Sequence, residues 1–239
     1  MRVGIENIEV LAGEKNIKSL AFALLLKDTF VSSTIKNYTP YSLQKKLKEI
    51  GFYFHHSTIV KYVDNLRRSG FITEENNNLT VKKLYVKEKA YIRVKKNEAK
   101  EFKHYIHFIR FAILKRKVKQ AEYVYSRKLF IVKKLDNPEN RNEYSRAKRL
   151  AKKYDISRVD ETWFKYKQSI RSLAELFDCS ISEIHTTIKF LIASGRIQVE
   201  KFIKKMGVFF GNDQISGNFF VWKGYLYEVE CNSYKIVSS

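Results

Sequence analysis

The 239-residue chain has little of what stabilises small secreted, fibrous or membrane proteins. Its two cysteines, Cys179 and Cys231, are too few for a disulfide framework or a four-thiolate zinc site. Two prolines and nine glycines exclude collagen-like and low-complexity chains. The longest apolar run, residues 20–26, is far shorter than the roughly 20 residues that a membrane-spanning helix needs. We therefore expect a globular chain without a membrane partner, located in the cytoplasm or on the nucleoid.

Positive charge is what the chain has in excess. There are 46 lysines and arginines against 25 acidic residues, which gives a formal net charge of +21. Residues 82–135 alone hold 18 basic and four acidic residues. Such an excess attracts polyanions, and nucleic acid is the leading candidate.

The first part of the chain carries the pattern of three helices followed by two strands. Apolar residues at helical spacing predict helices over residues 16–30, 42–50 and 57–69, with a short extended piece at 35–40. Gly51 is expected to end the second helix. Gly70 stands where a left-handed cap would end the third. Residues 71–75 and 79–86 are predicted to be strands around a turn of three asparagines.

The same order returns in the last part of the chain. An extended piece is predicted at residues 163–166, helices over 169–177 and 182–194, and strands over 196–210 and 219–230 with a turn at 211–217 between them. The stop glycines Gly70 and Gly195 are 125 positions apart, and each is followed two residues later by isoleucine. This spacing predicts two copies of one small domain.

The basic middle of the chain is predicted to be helical. Asn97 is a candidate N-cap for a helix that continues to about Ile113. Cations suit the C-terminal end of a helix dipole, so this helix is expected to close at Lys115, Arg116, Lys117 and Lys119. A second helix over 138–154 is expected to begin with Asn137 as N-cap and Pro138 in its first turn.

Helix, short strand, helix, turn, helix and two-stranded wing is the order of a winged helix-turn-helix domain. Residues 58–72 resemble the recognition helix and first wing strand of MarR-type regulators, whose pattern is Thr-Val-x-Arg, Val-Asp-x-Leu and a polar triplet before Gly-Leu-Val. Four positions match outright, namely Thr58, Asp64, Leu66 and Gly70, and four are close substitutions, namely Ile59, Lys61, Phe71 and Ile72. The second copy is similar to the general helix-turn-helix pattern also seen in GntR-type regulators. A tandem pair resembles plasmid and phage replication initiators.

These patterns predict a mainly α chain with small β-wings, in the α+β class. Residues 1–86 are expected to form one winged helix-turn-helix domain, 87–156 a basic helical linker, and 157–239 a second such domain.

In such domains the outward side chains of the recognition helix enter the major groove, and wing cations contact the phosphate backbone. With Ile59, Val63 and Leu66 buried, the outward residues of the first recognition helix are expected to be Ser57, Thr58, Lys61, Tyr62, Asn65 and Arg68. With Ile184, Ile188 and Leu191 buried, those of the second are expected to be Ser182, Glu183, His185, Thr186 and Lys189. Phosphate contacts are expected from the wings, through Lys82, Lys83, Lys201, Lys204 and Lys205, and from the linker, through Lys115, Arg116, Lys117 and Lys119.

The sequence thus predicts a sequence-specific double-stranded DNA-binding protein that regulates transcription. Two alternatives stay open: a replication initiator that binds repeated origin sites, and a non-specific packaging or virion cargo protein. The aromatic second wing leaves a homodimer or another protein partner open, through Phe209, Phe210, Phe219, Phe220, Trp222, Tyr225 and Tyr227. No catalytic residue, metal site or cofactor is predicted.

Overall fold

The computed structural model of the chain describes residues 2–4, 16–30, 32–82, 91–94, 99–154, 167–208, 219–223 and 225–237. The chain divides into two compact units, Met1–Leu114 and Lys115–Ser239. The described residues combine helices with small antiparallel sheets, so the predicted α+β class is confirmed. The division into 1–86, 87–156 and 157–239 stays a prediction. None of the described helices has both the length and the apolar content to cross a membrane.

The first unit is built around helix α1, Ile17–Thr29. The sequence pattern predicted an apolar face on this helix, but its middle is buried on every side, from Leu20 through Leu26. A helix that is apolar all round belongs inside a core rather than on its surface. The aromatic ring of Phe22 packs there against Phe54 and Tyr62, with centroids 5.4 Å apart in both pairs.

Helix α2, Pro40–Glu49, begins two residues earlier than its apolar pattern predicts. The cause is a capping box: the Ser42 amide donates to Thr39 Oγ1 at 3.0 Å, and the Thr39 amide donates to Ser42 Oγ at 2.9 Å. Pro40 fits the first helical position because it has no amide hydrogen to satisfy. Gly51 follows the helix at φ +88°, as its position predicted.

Helix α3, His56–Arg68, buries Ile59, Val63 and Leu66, as predicted. Its end is a Schellman motif, in which the Gly70 amide donates to the Arg67 carbonyl at 3.0 Å and the Phe71 amide donates to the Leu66 carbonyl at 2.8 Å. Gly70 has φ +71°, which confirms the predicted left-handed cap.

Two small sheets complete the first unit. Strands β1 (Arg2–Gly4) and β5 (Tyr91–Arg93) form an antiparallel pair that the sequence pattern did not predict. Strands β2 (Thr34–Ile35), β3 (Ile72–Glu75) and β4 (Asn78–Val81) form a sheet in the order β2-β4-β3. Asn76 and Asn77 turn between β3 and β4 at φ +50° and +58°, the left-handed geometry of a tight hairpin. The predicted continuation of β4 to residue 86 lies outside the described residues.

Helix α4 differs most from its prediction. It runs without a break from Phe102 to Asp136. Its residues 115–119 therefore lie inside the helix, and the prediction that Lys115, Arg116, Lys117 and Lys119 end it is wrong. No glycine or proline occurs between 102 and 136, and lysine and arginine are good helix formers. A cation near a helix end contributes only about 0.3–1 kcal/mol, which does not stop a helix. Asn97 lies outside the described residues, and α4 begins only at Phe102.

Helix α5, Arg141–Ala151, also begins elsewhere than predicted. The amide of Asn137 still donates to the carbonyl of Lys133 at 3.0 Å, so this residue belongs to the end of α4. The N-cap is Asn140, whose Oδ1 accepts from the Glu143 amide at 2.9 Å. The prediction of Asn137 as cap with Pro138 in the first turn is therefore wrong, because a better-placed asparagine follows three residues later.

The second unit repeats the short helix, turn and longer helix of the first. Helix α6, Ile170–Leu176, is capped by Ser169, and helix α7, Ile181–Ala193, is capped by Ser180. Gly195 ends α7 at φ +65°. Its amide donates to the Ile192 carbonyl, and the next amide, that of Arg196, donates to the Leu191 carbonyl, both at 2.9 Å. These are the same two bonds that end α3.

A sheet follows α7. Strand β7, Ile197–Val208, pairs with β9, Tyr225–Ile236, which also pairs with β6, Lys167–Gln168, and with β8, Phe219–Trp222. The sequence pattern predicted one strand over 219–230. The structure instead places Lys223 at φ +51°, and the chain reverses there so that Trp222 pairs with Tyr225. The predicted turn at 211–217 and the extended piece at 163–166 lie outside the described residues.

Candidate nucleic-acid interface

The outward row of α3 is narrower than predicted. Ser57, Lys61 and Arg68 are exposed, and together with half-buried Asp64 they follow one line along the helix at i, i+4, i+7 and i+11. Thr58 lies beside this row and is half-buried. His55 N-caps the helix and its Nδ1 lies 2.7 Å from Ser57 Oγ. The row presents two cations and one hydroxyl to solvent.

Two residues expected in this row belong to the interior side of α3 instead. Nδ2 of Asn65 donates to Asn16 Oδ1 at 2.9 Å and to Ser19 Oγ at 3.2 Å, which fixes its amide against α1. The ring of Tyr62 lies between Phe22 and Phe102, with the latter stacked at 6.1 Å and 29°. The prediction that Tyr62 and Asn65 face outward is wrong.

Tertiary packing decides the orientation of these two side chains. Tyr62 and Asn65 stand at the borders of the apolar stripe, where helical spacing alone does not decide between solvent and a neighbouring helix. The neighbours that decide it are distant in sequence, since Asn16 is 49 residues before Asn65. Burial also raises the pKa of the Tyr62 hydroxyl.

The first wing carries acid at its tip. Lys82 is exposed at the end of β4, whereas Lys83 lies outside the described residues. Glu74 and Glu75 are exposed just before the asparagine turn. Glu74 accepts a hydrogen bond from Arg67, whose guanidinium also pairs with Asp64 at 2.8 Å. The two glutamates are visible in the sequence, whereas the prediction for this wing names only its lysines.

The linker cations predicted to follow phosphates are mostly withdrawn from solvent. Lys115, Arg116 and Lys117 are half-buried on α4, and only Lys119 of this group is exposed. Burial lowers the pKa of Lys115, and the positive charges of Lys119 and Arg196 lower it further. Three of these four cations are therefore only partly accessible, and their contact with phosphates stays a prediction.

Helix α5 and the two residues after it carry six exposed cations. Glu139, just before α5, and Glu143 of α5 both pair with Lys134 of α4, the second at 2.9 Å. Those exposed cations are Arg141, Arg146, Lys148, Arg149, Lys152 and Lys153. We call this group the α5 cation cluster.

Helix α7 exposes the polar residues predicted for it. Ser182, His185, Thr186 and Lys189 are all exposed, in one band along the helix. Glu183 is also exposed, but its carboxylate accepts from the Ser180 amide at 3.1 Å in a capping box, so it is held at the start of the helix.

The apolar pattern of α7 is less regular than predicted. Ile188 is half-buried, whereas Thr187 is buried and donates its hydroxyl to the Glu183 carbonyl at 2.9 Å. Ile181 and Ile192 are each 47% exposed. The outward surface of α7 is therefore less basic and more apolar than that of α3.

Two of the three cations predicted for the second wing are exposed. Lys201 and Lys205 are exposed on β7, and the Lys205 ammonium lies 3.1 Å from the centroid of the Tyr225 ring, a cation–π contact. The backbone of Lys204 stands opposite that of Glu228 in the β7–β9 ladder. Phe209 and Phe210 lie outside the described residues, so the predicted partner surface on this aromatic wing stays a prediction.

A groove beside α3 was not predicted. It has a volume of about 620 Å³ and is lined by one face of α2 and by the turn that leads into α3. The lining residues combine aromatic rings with cations, and they are Tyr41, Gln44, Lys45, Lys48, Tyr53, Phe54 and His55. The sequence contains a signal for the α2 side of this groove. The side chains that line it lie on the helix face opposite the buried leucines, at the spacing i, i+3, i+4 and i+7: Tyr41, Gln44, Lys45 and Lys48.

Comparison with protein-family models, with curated proteins and with solved structures gives no match.

Proposed function

We propose that the chain binds double-stranded DNA in a sequence-specific way through two winged helix-turn-helix folds, and that it regulates transcription in the cytoplasm. The observation that carries the proposal is the repetition of one arrangement in both units. In each, a short helix and a turn lead into a longer helix with an outward polar row, and antiparallel strands follow.

The correspondence between the two arrangements extends to the backbone. The short helices α2 and α6 are followed by Gly51 at φ +88° and Asp178 at φ +47°. The longer helices α3 and α7 are both 13 residues long and end in the same pair of hydrogen bonds. A turn of fixed geometry holds the second helix of each pair at a set angle to the first. A recognition helix requires such a fixed orientation to enter the major groove.

The charge of α3 supports a role in DNA contact. Lys61 and Arg68 are exposed, and within the described part of the chain neither forms an ion pair with a carboxylate. Cations on the outward side of a recognition helix reach guanine edges or flanking phosphates. Lys189 on α7 has the same exposure. Since both helices belong to one chain, binding of the first raises the effective concentration of the second at a neighbouring half-site.

The α5 cation cluster favours non-specific binding as a second candidate function. Cations grouped on one short helix can contact phosphates whatever the base sequence is. A packaging or virion cargo protein would use this cluster and leave α3 and α7 without base contacts. A replication initiator, in contrast, would use both helices and bind directly repeated sites.

Selection from a random duplex library tests the proposal. The Kd of selected and scrambled duplexes, measured at one salt concentration, should differ by roughly a thousandfold or more. Lys61→Ala should reduce this ratio. Lys103→Ala is the matched control, because Lys103 is an exposed lysine of the same unit that pairs with Glu101 at 2.7 Å. Equal Kd values for both duplexes would refute sequence-specific binding and favour packaging.

Selection from genomic fragments then separates the two specific roles. A transcription regulator should enrich promoter segments, and a replication initiator should enrich directly repeated sites near an origin.

A further inference from the structure

The groove between α2 and the following turn presents two tyrosine rings to solvent. Tyr41 is 72% exposed and Tyr53 is 76% exposed. Three other tyrosines of this unit are packed: Tyr38 and Tyr105 are buried, and Tyr62 lies in the aromatic cluster with Phe22. Tyr41 and Tyr53 thus leave large π-faces uncovered on a surface that the fold does not need for its core.

The floor of this groove is fixed. Nε2 of Gln44 donates to the Phe54 carbonyl at 2.9 Å, which ties the turn to α2. The Phe54 ring packs edge-on against Phe22 at 5.4 Å and against Phe102 at 4.9 Å. A flat ligand that enters the groove therefore meets a surface that is already ordered.

The rim of the groove is cationic. Lys45 and Lys48 are exposed one turn apart on α2, and no lining residue is acidic. His55 joins the rim to the start of α3, because it lines the groove and also caps that helix. Aromatic faces interleaved with cations match the alternation of bases and phosphates in a single strand. An acidic peptide would satisfy the lysines but would leave the two rings uncovered.

We propose that this groove binds an unpaired nucleotide of a single-stranded nucleic acid, with the base stacked on Tyr41 or Tyr53 and the adjacent phosphates paired with Lys45 and Lys48. This site is distinct from the outward row of α3, and it gives the chain a preference for single strands or for duplex ends that carry an overhang.

Fluorescence anisotropy with three labelled DNA probes tests the site: a single strand of about 10 nucleotides, a blunt duplex, and the same duplex with an overhang of about four nucleotides. The wild-type chain should bind the single strand and the overhang more tightly than the blunt duplex, by roughly tenfold. The double variant Tyr41→Ala/Tyr53→Ala should lose this preference and keep its affinity for the blunt duplex. Tyr41→Phe/Tyr53→Phe should retain the preference, because phenylalanine keeps the π-face.

Tyr144→Ala is the matched control, since Tyr144 is an exposed tyrosine outside the groove. Far-UV circular dichroism of each variant establishes that it is folded. Equal binding of overhang and blunt duplex by the wild type would overturn this inference and leave the proposed duplex recognition intact. Single-strand binding without duplex binding would refute the duplex proposal and support the groove. Displacement of the single strand by polyglutamate at equal charge concentration would assign the groove to acidic peptides and overturn the proposal.

Discussion

Nδ2 of Asn65 donates a hydrogen bond to Oδ1 of Asn16 at 2.9 Å, and this bond joins α3 to the start of α1. The same amide donates to the hydroxyl of Ser19, a buried residue. An asparagine that the sequence pattern places in a DNA groove is thus a contact between two helices of the core. Of the residues predicted to contact DNA from the same helix, Ser57, Lys61 and Arg68 are exposed.

Asn65→Ala should lower the free energy of unfolding by about 1–2 kcal/mol, because two half-buried hydrogen bonds are lost and Ser19 loses a donor. It should leave the ratio of Kd values for selected and scrambled DNA unchanged. Urea denaturation and anisotropy titrations measure the two effects. Arg68→Ala is the control on the same helix, expected to change stability by no more than about 0.5 kcal/mol. A reduced Kd ratio in Asn65→Ala at full stability would contradict the structural role.

Removing Lys61 or Arg68 should weaken DNA binding and flatten its salt dependence. Each phosphate contact that is lost should reduce the slope of log K against log salt by about 0.9. If one of these cations reads a base edge, its removal should instead lower the Kd ratio by the equivalent of about 1–3 kcal/mol. Titrations of both variants at several salt concentrations separate the two roles. An unchanged affinity in both variants would exclude α3 from the interface.

The α5 cation cluster should supply phosphate contacts that do not depend on sequence. Lys148→Ala/Lys152→Ala should weaken selected and scrambled duplexes to the same extent and reduce the salt slope by about two. Lys115→Ala is the comparison, since Lys115 is half-buried and burial lowers its pKa. A larger loss of affinity from Lys115→Ala than from the double variant would show that α4, not α5, follows the phosphates.

The stop glycines should be required for their backbone conformation rather than for space. Gly70→Ala and Gly195→Ala should each cost about 1–2 kcal/mol, because alanine is strained at φ +71° and +65°. A Cβ at either position meets no atom within 4 Å, so steric overlap does not contribute. Gly207→Ala is the control with equally open space and no positive φ. Asparagine at position 70 should cost less than alanine. Chemical denaturation of these variants measures the costs, and equal effects at 70 and 207 would contradict the assignment.

Tyr38 should make the chain less stable at high pH. Burial raises the pKa of its hydroxyl to about 12, and the carboxylate of Glu74 contributes to the shift. An unfolded tyrosine ionises near pH 10, so the unfolded state loses its proton first as pH rises. The stability that this tyrosine contributes is therefore complete below about pH 10 and is lost as pH approaches 12.

Tyr38→Phe should accordingly make the free energy of unfolding fall less steeply between about pH 10 and 12. Between pH 7 and 9 the curves of the variant and the wild type should run parallel. Denaturant titrations across this range give both slopes. Identical slopes above pH 10 would show that Tyr38 titrates alike in the folded and unfolded states.

Local patterns in the sequence predicted the first and last residues of five helices to within two positions, namely α1, α2, α3, α6 and α7. The physical reason is that each carries apolar residues at helical spacing, and α2, α3 and α7 are also followed by a stop glycine. Such signals act within a few residues. The hairpin turn at the asparagines follows from the same kind of local preference. The excess of positive charge, and the expectation of a polyanionic partner, also follow from the sequence alone.

The tertiary structure alone decided which polar residues are available at the surface. Tyr62 and Asn65 turned inward because Phe22, Phe102 and Asn16 lie beside them in space but far from them in sequence. The length of α4 was set by the absence of any breaking residue over 35 positions, where local charge preferences were too weak to end it. The groove beside α3 exists only because a turn packs against one face of α2, and no periodicity within either segment encodes that meeting.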